Sequence, residues 1–191
     1  MDHAINLTRL TLGGSESGPL GCEGYNHAPH ALESKQVPHL QELELHYFSL
    51  DPALVEFLIS HDKVLQYVSL IDCFSSAGES SLADNGLYWA EFLNKWAERK
   101  PAVKYFEVKP LSTLDPDEQH EEDEKVQQIL EADRQSDNPN PRKYLQYAFL
   151  DDKYGMLFFD EEMNDERWLD YSDWSAYLRF QDMTRANRER P

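Results

Sequence analysis

A short apolar spacing recurs four times along the chain, and it constrains the fold more than any other feature of the sequence. Each copy fits L-x-x-L-x-L, in which another apolar residue can replace a leucine; the copies are NLTRLTL, HLQELELHYFSL, VLQYVSLIDC and AVKYFEVKPL. Three copies continue to an apolar residue or a cysteine three positions later. This is the strand-bearing core of a leucine-rich repeat. We therefore expect four short strands that lie side by side, each covering the apolar flank of its neighbour.

Helix signals follow the second and third copies, as expected if each unit returns along the outside of a stack. After the second copy, Asp51 can cap a helix and Pro52 fits its first turn. Its apolar stripe is Leu54, Val55, Leu58 and Ile59. After the third copy, residues 85–101 repeat this arrangement, and the residues available to the core are Leu87, Trp89, Ala90, Leu93, Trp96 and Ala97.

The intervals between the copies are unequal. Leu7 to Leu40, Leu40 to Leu65 and Leu65 to Val103 are 33, 25 and 38 residues, whereas regular repeats run about 20 to 29. Insertions rich in Gly, Ser and Pro at 13–38 and 74–86 account for the excess. The simpler alternative is an ordinary α/β domain with amphipathic strands. We expect an α/β fold in which 1–114 form a short, irregular leucine-rich-repeat-like solenoid, with mainly parallel strands and outer helices.

The remaining residues, 115–191, are predicted to cap the same domain. The segment 115–137 is acidic and helical in pattern, and it can be a merely solvated helix or a docking surface for a basic partner. Apolar runs at 144–150 and 156–159 predict a β-hairpin with Gly155 in its turn. A terminal helix should start with Asp173 or Ser172 as N-cap and bury Trp174, Tyr177 and Leu178, with Phe180 or Met183 as further inward residues.

Charge and composition restrict the partners. A formal net charge of −18 would repel a phosphate backbone, so direct binding of DNA or RNA is not expected, whereas a basic protein would be attracted. No apolar run approaches the roughly 20 residues of a membrane helix, and the N-terminal residues lack the pattern of a secretory signal. The two cysteines do not form a disulfide framework, which favours free thiols in a reducing, intracellular compartment, cytoplasmic or nuclear.

Three segments follow one another along the chain: LQELELHYFSLDPALVEFLISHDKVLQYVSLIDC, then YWAEFLNKWAERKPAVKYFEV, then YAFLDDKYGMLFFDEE with a terminal helix after it. This progression resembles the C-terminal region of ascomycete F-box proteins. The resemblance spans 40–187, and none of its motifs is catalytic. It implies a degenerate leucine-rich region that selects substrates for a cullin-based ubiquitin ligase. In that family an N-terminal F-box binds the Skp adaptor. We find no F-box in this chain, because MDHAINLTRLTLGG enters directly into a repeat strand, so binding to the Skp adaptor is not expected through this chain alone.

Patterns for catalysis and cofactors are weak. The residues Cys22, His27, His30 and His39 lack the spacing of a zinc site, so no metal is expected. The glycines of 13–24 match no nucleotide-binding motif, and no cofactor is expected. Paired carboxylates are abundant without marking a cleft. We expect Cys73 to be buried and inert, and Trp89 and Trp96, two helical turns apart, to belong to the core.

These observations predict a non-enzymatic protein-binding domain, either a substrate receptor or a scaffold subunit of an intracellular complex. The candidate contacts lie between the inward-pointing residues of the strands, namely Glu42, Glu44, His46, Gln66, Ser69, Lys104 and Glu107. Trp168 and Tyr171 sit among acidic residues and are expected to be partly exposed, as a second aromatic contact site. Two alternatives remain: an acidic mimic of nucleic acid that inhibits a DNA-binding protein, and an enzyme with an acidic cleft.

Overall fold

The computed structural model describes residues 6–15, 34–77, 86–109, 145–150 and 157–190. Within these ranges the chain has a mixed α/β fold, which contains four α-helices and a parallel sheet of four strands. The helices are α1 (Pro52–Ser60), α2 (Trp89–Glu98), α3 (Glu161–Asp170) and α4 (Ser172–Glu189). The strands are β1 (Arg9–Gly13), β2 (Glu42–His46), β3 (Ser49–Leu50), β4 (Tyr67–Ile71), β5 (Phe74–Ser75), β6 (Tyr105–Lys109), β7 (Ala148–Leu150) and β8 (Leu157–Phe159).

The four copies of the apolar spacing form the main sheet. Its order is β1-β2-β4-β6, every neighbouring pair is parallel, and the order follows the sequence. Leu43 is in register with Val68, and Val68 with Phe106, so the predicted side-by-side arrangement of these strands is confirmed. The same line includes Leu10, and a second line comprises Leu12, Leu45, Leu70 and Val108. Both lines point toward the core, because alternate residues of a strand share a face.

A second, smaller set of parallel pairs follows the main sheet. β3 pairs with β5, and Ser75 forms a further parallel bridge with Tyr147. The chain turns into this set through Tyr47 and Asp72, whose φ angles are 51° and 55°. Each of these residues directly follows a strand of the main sheet. The left-handed conformation is costly for residues with a Cβ, so its presence at two equivalent positions marks one turn used twice.

The predicted helices after β2 and β4 are both present. Asp51 caps α1 by accepting a 2.7 Å hydrogen bond from the Leu54 backbone N–H, and Pro52 occupies the first turn. Helix α1 buries Leu54, Val55, Phe57 and Leu58, and α2 buries Trp89, Phe92, Leu93 and Trp96. Trp89 and Trp96 are fully buried, as predicted. Burial of one apolar face is what stabilises helices of nine or ten residues, which are marginal in isolation.

Helix α4 joins the main core through Trp174, Ala176, Tyr177 and Phe180, whereas Ala148 of β7 and Leu157 of β8 pack in a smaller cluster with Phe74. The predicted hairpin is present as the antiparallel pair β7 and β8, although Gly155 lies outside the described residues. Helix α3 was not predicted, because its composition is acidic and only Asn164 and Trp168 are buried. Helix α4 buries Trp174, Tyr177 and Phe180 as predicted, whereas Leu178 and Met183 are partly buried and packed against the core.

The predicted N-cap of α4 is wrong. Tyr171, with φ of 64°, precedes the helix, and Ser172 and Asp173 are its first two residues. The Asp173 carboxylate instead accepts a 2.8 Å hydrogen bond from the Ala90 backbone N–H at the start of α2. Asp173 is the second residue of α4 and does not occupy the N-cap position, so its carboxylate satisfies an N–H group of the neighbouring helix instead.

Helix α4 also contacts the edge of the main sheet. The Gln181 side chain donates a 2.7 Å hydrogen bond to the Phe106 carbonyl, and Asn187 donates to the carbonyls of Pro101 and Val103 at 2.8 and 2.9 Å. These side chains satisfy backbone groups on and before β6, which forms one edge of the sheet. The predicted acidic helix over 115–137 lies outside the described residues. Within the described helices, none has the length and apolar character needed to cross a bilayer.

Candidate functional site

The main sheet has one apolar face toward the core and a second face that carries polar, charged and aromatic side chains. We call this second face the strand face. Its residues form three rows across β1, β2, β4 and β6, given by the strand register. The rows are Arg9, Glu42, Tyr67 and Tyr105; then Thr11, Glu44, Ser69 and Glu107; then Gly13, His46, Ile71 and Lys109. Neighbouring residues of one row lie on adjacent strands, about 4.8 Å apart.

Several predicted contact residues share this face. Glu42, Glu44 and His46 project from β2, and Glu107 projects from β6; all four are half-buried. Gln66 immediately precedes β4, is exposed and lines the depression on this face, so it lies at the margin of the rows. Lys104 immediately precedes β6 and is half-buried, and it does not belong to the rows. The structure therefore brings Glu42, Glu44, His46 and Glu107 to one face of the sheet, with Gln66 at its margin.

Ser69 was predicted to be exposed, and that prediction is wrong. It lies in the middle row between Glu44 and Glu107 with 0% of its surface accessible. A serine is the shortest polar side chain of its row, and the longer neighbours cover it. Its hydroxyl oxygen has no hydrogen-bond partner among the described residues.

The second predicted contact site is only partly supported by exposure. Trp168 is 9% exposed, which corrects the expectation that it is partly exposed, because it lies on the buried side of α3. Tyr171 is 45% exposed at the junction of α3 and α4. Neither residue belongs to the rows of the strand face.

Two tyrosines of the strand face were not among the predicted contacts. Tyr67 and Tyr105 are register partners, and their ring centroids are 6.5 Å apart with an interplanar angle of 41°. Tyr105 is 52% exposed. Strict alternation counted outward from Val68 and Phe106 would have placed both tyrosines on this face. The first apolar residues of the third and fourth copies, Leu65 and Val103, lie before the strands and do not follow their alternation.

A depression of about 580 Å³ lies on the strand face. Its lining includes both tyrosines, Glu42, Glu44 and Arg9. The remaining lining residues are Leu10, Thr11, Gln41, Leu43 and Gln66. The depression thus combines rigid aromatic surface with hydrogen-bonding and charged groups. This combination is typical of recognition sites.

Each glutamate of the strand face lies beside a basic side chain. Arg9 forms an ion pair with Glu42, and Lys109 Nζ lies 3.0 Å from Glu107 Oε2. His46 Nε2 lies 3.0 Å from Glu44 Oε1. The hydrogen bond to Glu107 raises the pKa of Lys109. The charges of this face are therefore mixed in sign.

A buried thiol and a buried carboxyl follow β4. The Cys73 thiol is buried, as predicted; it donates to the Leu45 carbonyl at 3.4 Å, and burial raises its pKa to about 12. Burial also raises the pKa of Asp72, and nearby His46 opposes that shift. The Oδ1 atom of Asp72 has no hydrogen-bond partner among the described residues.

A search for groups of three or more His, Cys, Asp and Glu side chains able to hold a metal ion finds none in the part of the chain that the structure describes. Cys22, His27 and His30 lie outside that part, and His39 is exposed. Comparisons with protein-family models, with curated proteins and with solved structures find no match to this chain.

Proposed function

We propose that this chain is a non-enzymatic protein-binding domain, which holds a protein partner on its strand face. The observation that carries this proposal is the exposure of Tyr105, which lies beside Tyr67 in a depression on a regular sheet. Tyrosine is among the residue types enriched at the centres of protein interfaces. Its ring is large and has few rotatable bonds, so little conformational entropy is lost when a partner binds it.

The finer fold that we propose is the short, irregular leucine-rich-repeat-like solenoid. A shift of 25 residues relates β2 to β4, Tyr47 to Asp72, and β3 to β5. This interval is within the about 20 to 29 residues of such repeats. Cys73 occupies the position at which the repeat pattern has Asn or Cys, and its thiol contacts a carbonyl of the preceding unit. Proteins of this kind bind partners on extended surfaces made by successive repeats.

The biological role that we propose is that of a substrate receptor, or of a scaffold subunit, in an intracellular complex. The resemblance of 40–187 to the C-terminal region of ascomycete F-box proteins supports this role. The mixed charges of the strand face favour a protein partner over mimicry of nucleic acid. A mimic of the phosphate backbone needs carboxylates that are free to bind the cations of its target, whereas Glu42 and Glu107 each form an ion pair within this chain.

Site-directed photo-crosslinking tests the binding surface directly. Tyr105 is replaced by p-benzoylphenylalanine, the full chain is expressed in cells that contain its partners, and crosslinked proteins are identified by mass spectrometry. The matched control places the same photo-reactive group at Tyr171, a similarly exposed tyrosine away from the strand face. We expect one stoichiometric protein to crosslink from position 105 and not from position 171.

The possible outcomes separate the alternatives. Crosslinking from position 171 alone would move the binding surface to the junction of α3 and α4. Absence of any protein crosslink from position 105 would contradict the proposal. If the expected complex is recovered, the presence of an Skp adaptor in it would support the ubiquitin-ligase role, whereas a complex without the adaptor would support a scaffold role.

A further inference from the structure

The depression on the strand face has the chemistry to receive one planar cation. We propose that it binds an arginine side chain of the partner, with the guanidinium against the Tyr67 ring and hydrogen-bonded to the Glu44 carboxylate. This inference deepens the proposed protein-binding function and rests on it. The chain itself places one guanidinium group at each end of the first row of the strand face, and Tyr67 lies between them in the register.

The first row of the strand face already attracts guanidinium groups. Arg9 of β1 pairs with Glu42 at one end of the row. At the other end, the guanidinium carbon of Arg188 lies 5.1 Å from the centre of the Tyr105 ring. Cations bind aromatic faces at this separation because the ring quadrupole is negative above its plane. The row thus binds guanidinium groups in two ways, by a carboxylate and by an aromatic face.

Tyr67 occupies the inner part of the same row. It lies between Glu42 and Tyr105 in the strand register, and it lines the depression. Among the described residues, no cation is placed over its ring as one is over Tyr105. An arginine from a partner can therefore contact an aromatic face over which none of the described arginines is placed.

An unused hydrogen-bonding group lies in the adjacent row. Glu44 uses Oε1 for His46, and no hydrogen bond within the described residues involves its Oε2. Glu44 lines the depression together with Tyr67, so this free carboxylate oxygen and the tyrosine ring belong to one site.

Arginine fits these groups better than lysine does. The guanidinium is planar and carries five N–H donors, so it can stack on a ring while its edge donates to a carboxylate. An ammonium group is a compact point charge and cannot do both at once. We therefore expect selection for arginine, and not only for positive charge.

Titrations with small peptides test this inference without knowledge of the partner. The probes are acetylated and amidated Gly-Arg-Gly, the same peptide with lysine, and the same peptide with citrulline, which is a neutral analogue of arginine. Binding to the full isotope-labelled chain is followed by backbone amide NMR shifts. We expect the arginine peptide to give saturable shifts centred on Glu44, Tyr67 and Tyr105, with weaker binding of the lysine peptide and no saturable shifts with citrulline.

Substitutions assign the contacts. Tyr67→Leu and Glu44→Gln should each weaken binding of the arginine peptide by about fivefold. The matched controls are Phe158→Leu, an exposed aromatic residue on β8, and Glu161→Gln, an exposed acid on α3, and neither should change the affinity. The comparison of arginine with citrulline uses the unaltered protein, so it remains decisive even if a variant does not fold.

Equal binding of the citrulline peptide, or shifts centred away from the depression, would overturn the arginine site. This result is distinct from failure of the proposed function. A partner that crosslinks from position 105 while the arginine peptide does not bind would leave the protein-binding function standing and reject the arginine site. Binding of the arginine peptide without any crosslinked protein would reject the function and leave a guanidinium site.

Discussion

The hydroxyl group of Tyr147 donates a 2.7 Å hydrogen bond to the Asp173 carboxylate. The same carboxylate accepts hydrogen bonds from Arg167 at 2.8 and 3.1 Å and from the Ala90 backbone N–H. The Tyr147 hydroxyl also accepts a hydrogen bond from the backbone N–H of Trp89 at 3.2 Å. This network holds the start of α4 against the start of α2. It satisfies two N–H groups of the first turn of α2, which otherwise have no partner within that helix.

Removal of the Tyr147 hydroxyl should destabilise the fold. Tyr147→Phe leaves the buried backbone N–H of Trp89 without an acceptor and removes one hydrogen-bond donor from the Asp173 carboxylate. Hydrogen bonds to charged groups contribute about 1.5 to 3 kcal/mol. We expect the free energy of unfolding, measured in urea, to fall by about 2 kcal/mol. The matched control is Tyr105→Phe at an exposed position, for which a change below about 0.5 kcal/mol is expected. Equal losses in the two variants would contradict a structural role for the network.

Substitution of Cys73 tests the repeat-like register of the two units. Cys73→Asn keeps a donor toward the Leu45 carbonyl, and we expect its stability in urea to stay within about 1 kcal/mol of the unaltered protein. Cys73→Asp has nearly the same shape but places an ionised group in the core, which costs several kcal/mol. If Cys73→Asn lowers the free energy of unfolding as much as Cys73→Asp does, this position does not accept the Asn of a leucine-rich repeat.

The thiol of Cys73 should react only when the protein unfolds. Burial raises its pKa to about 12, and the thiolate is the reactive form, so its reaction with a disulfide reagent at pH 8 should be at least about a thousandfold slower than that of a free thiol. Cys22→Ser removes the other cysteine and isolates this reaction. We expect one equivalent of thiol to react rapidly in denaturant and almost none to react in the native protein. A rapid reaction of the native protein would show that Cys73 is accessible.

Asp72 should make stability depend on pH. Burial raises its pKa above the ordinary value of 3.8, so the folded state holds a proton more tightly than the unfolded state does. Stability of the unaltered protein therefore falls as the pH rises from 3.8 through the folded pKa, and the penalty persists at higher pH. Asp72→Asn carries no charge, and asparagine tolerates the positive φ at this position.

We therefore expect Asp72→Asn to stabilise the protein at pH 7 by on the order of 1 kcal/mol, and we expect the gain to disappear in acid. Thermal unfolding of both proteins across this pH range measures the effect. Asp182→Asn, at an exposed aspartate of α4, serves as the control and should show no such dependence. If the gain in stability is the same at every pH, it comes from the backbone preference of asparagine alone and not from removal of the Asp72 charge.

Much of the architecture could be predicted from local patterns. Alternation of apolar residues predicted the strands of the main sheet, and their recurrence predicted that these strands lie side by side, because a single short strand cannot cover its own apolar flank. The start of α1 was also predictable, since Asp51 and Pro52 act within the helix that they begin. The cap of α1 depends on residues close together in the sequence, whereas the strand pairing is long-range and was predictable because one local pattern recurs.

The strand face could be predicted only in part. The glutamates of β2 follow simple alternation and were predicted, whereas Tyr67 and Tyr105, which follow the same alternation from Val68 and Phe106, were missed. Ser69 is buried by longer side chains on the two neighbouring strands. The sequence pattern of its own strand does not show how far those side chains extend over it.

Tertiary structure alone decided the roles of Asp173 and α3. The sequence determined that Asp173 could cap a helix, but the fold placed its carboxylate beside the first turn of α2, 83 residues earlier in the chain. Helix α3 buries too few side chains to show an apolar stripe in its sequence, so its pattern did not predict it. In both cases the stabilising contacts join residues that are distant in the sequence, and only the packed chain brings them together.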